Sequence, residues 1–404
     1  MTEASLIVQK YGGSSLARPE QIQVAAEQIA KLHKLGHAVI VVVSAMGKTT
    51  DQLVELAYRV SPTPNRRELD MLLTTGERIS MSLMSMALND RHCPAISFTG
   101  SQAGVFTDEL HSNARIIDVK PVRIEAELTR NHVVVLAGFQ GVSPRTKEIT
   151  TLGRGGSDTT AVAMAAVFKA QRCEIRKDVD GVHSADPHLI QGTVHLPHLH
   201  YQTLLEMTYW GSKVLHYRSV ELAALMDIPL MIALAHGEGR NTLINGEFKM
   251  FEQARILSVN THKDVRSIQI EASQFADAFR LFAELLKKAD LPLPQFLDSY
   301  AENRQVFFLI TAPTETLDAI ELALKSTDKA QNSARRLASV TATCQGSFAS
   351  PLPGEIAAAL ERHSIPLYKI LFSAMSVTVI VDAKDCNRVV QTIHDLRSNS
   401  SPSA

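Results

Sequence analysis

Cysteine is scarce: four in 404 residues, at Cys93, Cys173, Cys344 and Cys386. They stand too far apart for paired metal-ligand spacing and are too few for a disulfide scaffold, so a reduced, cytoplasmic setting is expected. Charge of either sign is not in excess, since the net charge is −1, and the charges are scattered. That argues against a nucleic-acid-binding face. No apolar run approaches the ~18 residues of a membrane span. Met1–Ser5 lacks the basic-then-apolar pattern of a secretory leader. The P-loop pattern G-x-x-x-x-G-K-[ST] is missing. His195, His198 and His200 do not make a metal motif, and no metal-ligating residues are assigned.

Small residues are gathered where they matter. Leu152–Ala161 reads LGRGGSDTTA and leads straight into an apolar stretch. Glycines permit positive φ and close approach of backbone to ligand, and N–H groups at a helix start suit an anion. Arg154 offers a planar fork for a carboxylate or phosphate. Asp158 suits a lysine or a magnesium ion. Taken alone, the run also fits a loop in which Ser157 or Asp158 caps a helix.

The same design recurs along the chain. Strand Leu6–Tyr11 ends in Gly12-Gly13-Ser14-Ser15, with Lys10 able to point at phosphates or simply at solvent. Ala38–Val43 is an apolar run of the buried parallel type, and it delivers Ser44 and, further on, Thr50 as caps or ligand contacts. The helix over Leu69–Leu88 contains Gly76, which costs about 1 kcal/mol relative to Ala and implies a close neighbour. Beside it, Glu77 is either a cation partner or part of a solvated face. Strands and helices alternate for some 240 residues, which predicts a parallel α/β sandwich with ligands beyond the strands' carboxyl ends. The remainder holds two β-α-β-β-α units. Ser267 with Ser339 and Val306 with Val377 mark an offset of about 70 residues.

These motifs in order resemble those of the aspartate kinases of the amino-acid kinase superfamily. The resemblance is carried by Val8–Ser15, Val43–Gly47, Leu72–Arg78, Thr99–Gly104, the run around Gly155 and Gly211–His216. It implies a three-layer α-β-α sandwich over residues 1–245, a linker over 246–263, and ACT-like βαββα repeats over 264–328 and 329–400. The implied activity is ATP-dependent phosphorylation of the β-carboxylate of L-aspartate, giving 4-phospho-L-aspartate, with Mg²⁺. The implied assembly is a homodimer or higher homo-oligomer formed through the repeats.

By the family pattern, Lys10 and Asp158 are catalytic. Ser44, Thr50, Glu77, Arg154, Gly155, Gly156 and Ser157 bind substrate, with Arg154 on the α-carboxylate and Glu77 on the ammonium. Lys10, Tyr11, Gly12, Gly13, Ser14, Lys177, Asp178, His183, Ser184, Asp186, His188 and Lys213 occupy nucleotide positions. Departures fall on the nucleotide side: Arg176, Lys177, His183 and His188 replace the family's usual Tyr, Thr or Ser, Tyr and Arg. Weaker ATP binding is expected, improving on His188→Arg. The first repeat's loop Glu271–Phe275 lacks the Pro-Gly of family effector sites, so weakened feedback control is expected. A kinase for another amino acid and a regulatory pseudo-kinase are the competing readings.

Overall fold

The computed structural model describes residues 5–247, 255–289, 291–332, 335–345 and 351–399. They divide into two compact units. The first holds the chain to Val182 together with His195–Thr208 and the segment from Lys213.

The first unit is built on an eight-stranded sheet. Its spatial order is His198–His200, Thr242–Asn245, Leu230–Leu234, Arg172–Lys177, Leu6–Tyr11, Ala38–Val43, Val133–Ala137 and Ala95–Phe98. Every pairing from Leu230–Leu234 to Ala95–Phe98 is parallel, and Thr242–Asn245 runs antiparallel to Leu230–Leu234. Helices α1 (Pro19–Lys34), α2 (Thr49–Val60), α3 (Arg66–Asn89), α4 (Val122–Thr129), α5 (Gly156–Val167), α6 (Tyr201–Tyr209) and α7 (Tyr217–Leu225) provide the flanking layers and connections.

Alternation along the strands explains the three layers. Ile40 and Val42 join Val8, Met164 and Val220 in one apolar cluster. Val39, Val41 and Val43 pack on the opposite face with Ile29, Met84 and Leu88. A strand buried on both faces needs no polar alternation, which is why Ala38–Val43 reads as a continuous apolar run. A smaller four-stranded sheet, formed by 105–107, 116–119, 140–142 and 149–151, was not expected from the sequence. Its strands are too short for a clear period.

The second unit contains His183–Val194, Tyr209–Ser212 and the described residues from Arg255 onward. Its helices are α8 (Phe275–Lys288), α9 (Thr314–Leu324), α10 (Leu352–Arg362) and α11 (Cys386–Asn399). One long strand, Arg255–Glu271, serves both βαββα modules. Its first half pairs antiparallel with Leu337–Gln345, which in turn pairs with Ser376–Asp382. Beyond an irregularity between His262 and Val265, residues 266–271 pair with Gln305–Thr311. The stretch expected as a linker is therefore partly strand. Its pattern was hidden because it buries polar residues: Ser258 and Asn260 lie inside and hydrogen-bond each other at 2.9 Å. The internal repeat itself is visible, since Ser267 and Ser339 lie in neighbouring strands of one sheet. Gly346, expected with Gly354 as the alternative amino-acid contact of the second repeat, lies outside the described residues.

Candidate active site

Carboxyl ends of the central strands converge with the start of α5. Lys10, next to last in its strand, meets Asp158 in the first turn of α5, with Nζ and Oδ1 2.6 Å apart and side chains 9% and 8% exposed. The pair is nearly dry, so each charge needs the other. Helix α5 begins at Gly156, earlier than its apolar stretch suggests, and Ser157 and Asp158 are buried in its first turn. This turn leaves N–H groups without intrahelical partners, where an anion is favoured.

Glycines let the surrounding loops close in. A β-carbon on Gly13 would stand 2.8 Å from the Ala45 carbonyl oxygen. One on Gly138, just beyond Val133–Ala137, would lie 2.8 Å from Ser157 Cβ. Gly76 is the helix glycine that implied a close neighbour, and Ala45 Cβ would be 2.8 Å from its β-carbon. That approach brings α3 onto the loop after Ala38–Val43, where the Ala45 N–H donates to Glu77 Oε1 at 3.1 Å.

Glu77 Oε2 is buried without a hydrogen-bond partner. Burial drives the Glu77 pKa up to about 7, against the pull of the Ala45 N–H. A buried carboxyl with one oxygen unmatched is suited to a cationic ligand group. Arg154, on the loop before α5, is exposed, and its charge is felt by His216. Ser44 and Thr50 are partly exposed, on the loop after Ala38–Val43 and in the first turn of α2.

On the other side of Lys10, Lys177 ends its strand and donates from Nζ to the Lys213 carbonyl at 3.3 Å. Burial lowers its pKa, Lys10 lowers it further, and Asp158 and Asp178 oppose the shift. Asp178 and Lys213 are exposed, as is Ser14.

His183, Ser184, Asp186 and His188 belong to the second unit. Ser184 is fully buried there, its hydroxyl accepting from Val194 N and pairing with His394 Nε2, both at 2.9 Å. Asp186 Oδ1 accepts from the His188 N–H at 2.9 Å, a local turn contact. The Tyr11 side chain is also core: it is fully buried, burial raises its pKa, and its hydroxyl donates to Gln9 Oε1 at 3.3 Å.

Sequence reasoning passed over a buried network beside the site. Asp70 of α3 is fully buried and accepts from Thr151 Oγ1 at 2.6 Å and the Ser112 N–H at 3.1 Å, with His111 Nδ1 at 2.7 Å. The available signal was spacing: Asp70, Leu73, Thr74 and Glu77 share one face of a helix. Arg218 and His216, at the start of α7, were also without an assigned role.

Comparison with known proteins agrees with this geometry. The model of the amino acid kinase family matches residues 5–234. The chain belongs to that family, among its aspartokinases. An aspartokinase of Corynebacterium efficiens is 38% identical over 404 residues, covering 97% of this chain and 96% of its own. That of Corynebacterium glutamicum is 47% identical over 296 residues, 72% of this chain and 70% of its own. The Synechocystis aspartate kinase structure is 31% identical, with a TM-score of 0.55, covering 99% of this chain and 70% of its own. Escherichia coli aspartokinase III, solved with aspartate and ADP, shares the fold at a TM-score of 0.79 and 19% identity, covering 96% of this chain and 99% of its own.

Proposed function

We propose that the protein phosphorylates the β-carboxylate of L-aspartate with ATP, forming 4-phospho-L-aspartate. The observation that carries this reading is the Lys10–Asp158 pair, 2.6 Å apart, at the start of α5 in an aspartokinase relative. Phosphoryl transfer to a carboxylate needs no general base, because the nucleophile is already ionised. It needs charge neutralisation and alignment. Lys10 and the first N–H groups of α5 supply positive potential for the transferring phosphoryl group. Asp158 holds Lys10 in place before substrate arrives.

On the aspartate side, Arg154 engages the α-carboxylate and Glu77 the ammonium. Ser44, Thr50, Ser157 and the Gly155–Gly156 backbone align the reacting carboxylate. The unmatched Glu77 Oε2 supports this placement. On the nucleotide side, Lys177, Asp178 and Lys213 join Gly12, Gly13 and Ser14. The described residues contain no group of three or more His, Cys, Asp or Glu able to cage a metal. Asp158 would offer one carboxylate to a magnesium ion carried by the phosphates, the kind of oxygen donor set that ion prefers. When bound, it neutralises phosphate charge.

The second unit forms the homo-oligomer contact, and the enzyme works in the cytoplasm. No described helix is long and apolar enough to cross a membrane. Coupled ADP-release assays across L-aspartate, L-glutamate, N-acetyl-L-glutamate and L-homoserine test the substrate assignment. Turnover should require L-aspartate and magnesium. Faster turnover with another acceptor would favour the competing kinase reading.

A further inference from the structure

The loop that carries Arg154 is held from outside by a second arginine. Arg218, in the first turn of α7, donates from Nη1 to the Leu152 carbonyl at 2.7 Å and to Asn113 Oδ1 at 3.4 Å. Its Nη2 donates to the Ala114 carbonyl at 2.9 Å. One planar guanidinium thus ties Leu152 to the neighbouring segment 113–114, a span a single ammonium cannot copy. These three acceptors are two main-chain carbonyls and an amide oxygen, so the contact fixes geometry and does not pair charge with charge.

The adjoining loop leaves little slack. Gly153 lies at φ +74, and its missing β-carbon would stand 3.0 Å from the Ser112 carbonyl oxygen and 3.1 Å from Asn113 Oδ1. Gly155 lies at φ +72, with His216 Cβ only 2.2 Å from where its β-carbon would be. His216 Nδ1 accepts from the Arg218 N–H at 3.4 Å, so the residue walling Gly155 and the residue gripping Leu152 act from one helix start. Asp70 anchors the far side, through Ser112 N and Thr151 Oγ1. Arg154 stands between these two restrained glycines.

We propose that Arg218 is a positioning residue for the aspartate subsite, acting through the Leu152–Gly155 turn to set the direction of Arg154. The inference rests on the reading of Arg154 as the α-carboxylate clamp. A merely structural Arg218 would lower stability, or turnover with both substrates, without singling out aspartate.

The test is steady-state kinetics of the full-length enzyme with Arg218→Gln, Arg154→Ala and the double variant, alongside thermal melts. Arg218→Gln should raise the aspartate KM by roughly 10- to 100-fold, the scale of loss from a misplaced binding group, and leave the ATP KM unchanged. Arg218→Lys should fall between, because its ammonium reaches one carbonyl. The double variant should be no worse than Arg154→Ala, because residues acting as a unit are not additive. If Arg218→Gln does not fold, Asn113→Ala removes one acceptor and should give a smaller rise in the same KM. The proposal is overturned by a folded Arg218→Gln with unchanged aspartate KM, by equal rises in both KM values, or by full additivity with Arg154→Ala. An Arg154→Ala enzyme with unchanged aspartate KM would instead bring down the underlying reading of the clamp, and the proposal with it.

Discussion

With Glu77 as the proposed partner of the aspartate ammonium, substrate binding becomes sensitive to pH. Its pKa is raised to about 7 by burial, so the free enzyme holds a proton there through mildly acidic conditions. An ammonium favours the ionised form, and binding must displace that proton. Aspartate affinity should therefore fall as pH drops below about 7, by up to about tenfold per unit, and level off above it. Glu77→Gln should show a high aspartate KM with the acid limb flattened. A KM profile with the same acid limb in Glu77→Gln and wild type would assign the titration elsewhere. At the reacting centre, Lys10→Ala or Asp158→Ala should cut kcat by ~10²–10³, the usual loss for a preorganised charge contact. Circular dichroism should show both variants folded. Each removal leaves the partner charge nearly buried without its 2.6 Å contact, so some loss of stability is expected as well.

Among the elements, α3 approaches the loop after Ala38–Val43 through one glycine. Replacing Gly76 by Ala would gain about 1 kcal/mol of helix propensity. The new methyl would stand 2.8 Å from Ala45 Cβ, and overpacking of this kind costs about 1–3 kcal/mol. The overlap wins, and the strain falls on the Ala45–Glu77 hydrogen bond. Gly76→Ala should raise the aspartate KM with little change in ATP KM; a variant that is both more stable and kinetically normal would show that α3 can shift freely. Gly76 was legible in the sequence because a helix tolerates glycine poorly without cause. Lys10 and Asp158 were legible because strand-end and helix-start positions confine side chains to one edge of a parallel sheet. Arg218 was not, since its role depends on carbonyls of segments more than sixty residues away. Ser184 follows Lys177 closely in sequence but falls in the second unit, where its hydroxyl meets Val194 N and His394 Nε2. The strand Arg255–Glu271 was obscured where it buries serine and asparagine instead of alternating apolar residues.

At the scale of the molecule, the expectation of weakened feedback control turns on the βαββα modules of the second unit. In its first module the loop after Arg255–Glu271 has neither glycine nor proline. Two donors at its start are turned inward: Glu271 N donates to the Lys329 carbonyl at 2.8 Å and Ala272 N to that of Arg304 at 3.1 Å. Phe282 and Phe296 pack around Phe308, with ring centroids 5.7 and 5.4 Å away. Phe282 and Phe308 are fully buried, so these rings fill the module's core, and the loop itself lacks the glycine that would let it turn its donors toward an amino acid's carboxylate. A ligand without differential affinity for two states shifts neither. Millimolar lysine and threonine, alone or together, should therefore inhibit weakly or not at all, while strong inhibition by either would reveal a site elsewhere in the second unit. The central claim, though, is that aspartate's own carboxylate is phosphorylated at the Lys10–Asp158 centre. Hydroxylamine traps acyl phosphates as hydroxamates and tests it directly. With ATP, magnesium and L-aspartate, the wild type should accumulate aspartyl hydroxamate and Asp158→Ala almost none. ADP release without hydroxamate, or equal trapping by the two enzymes, would contradict the account.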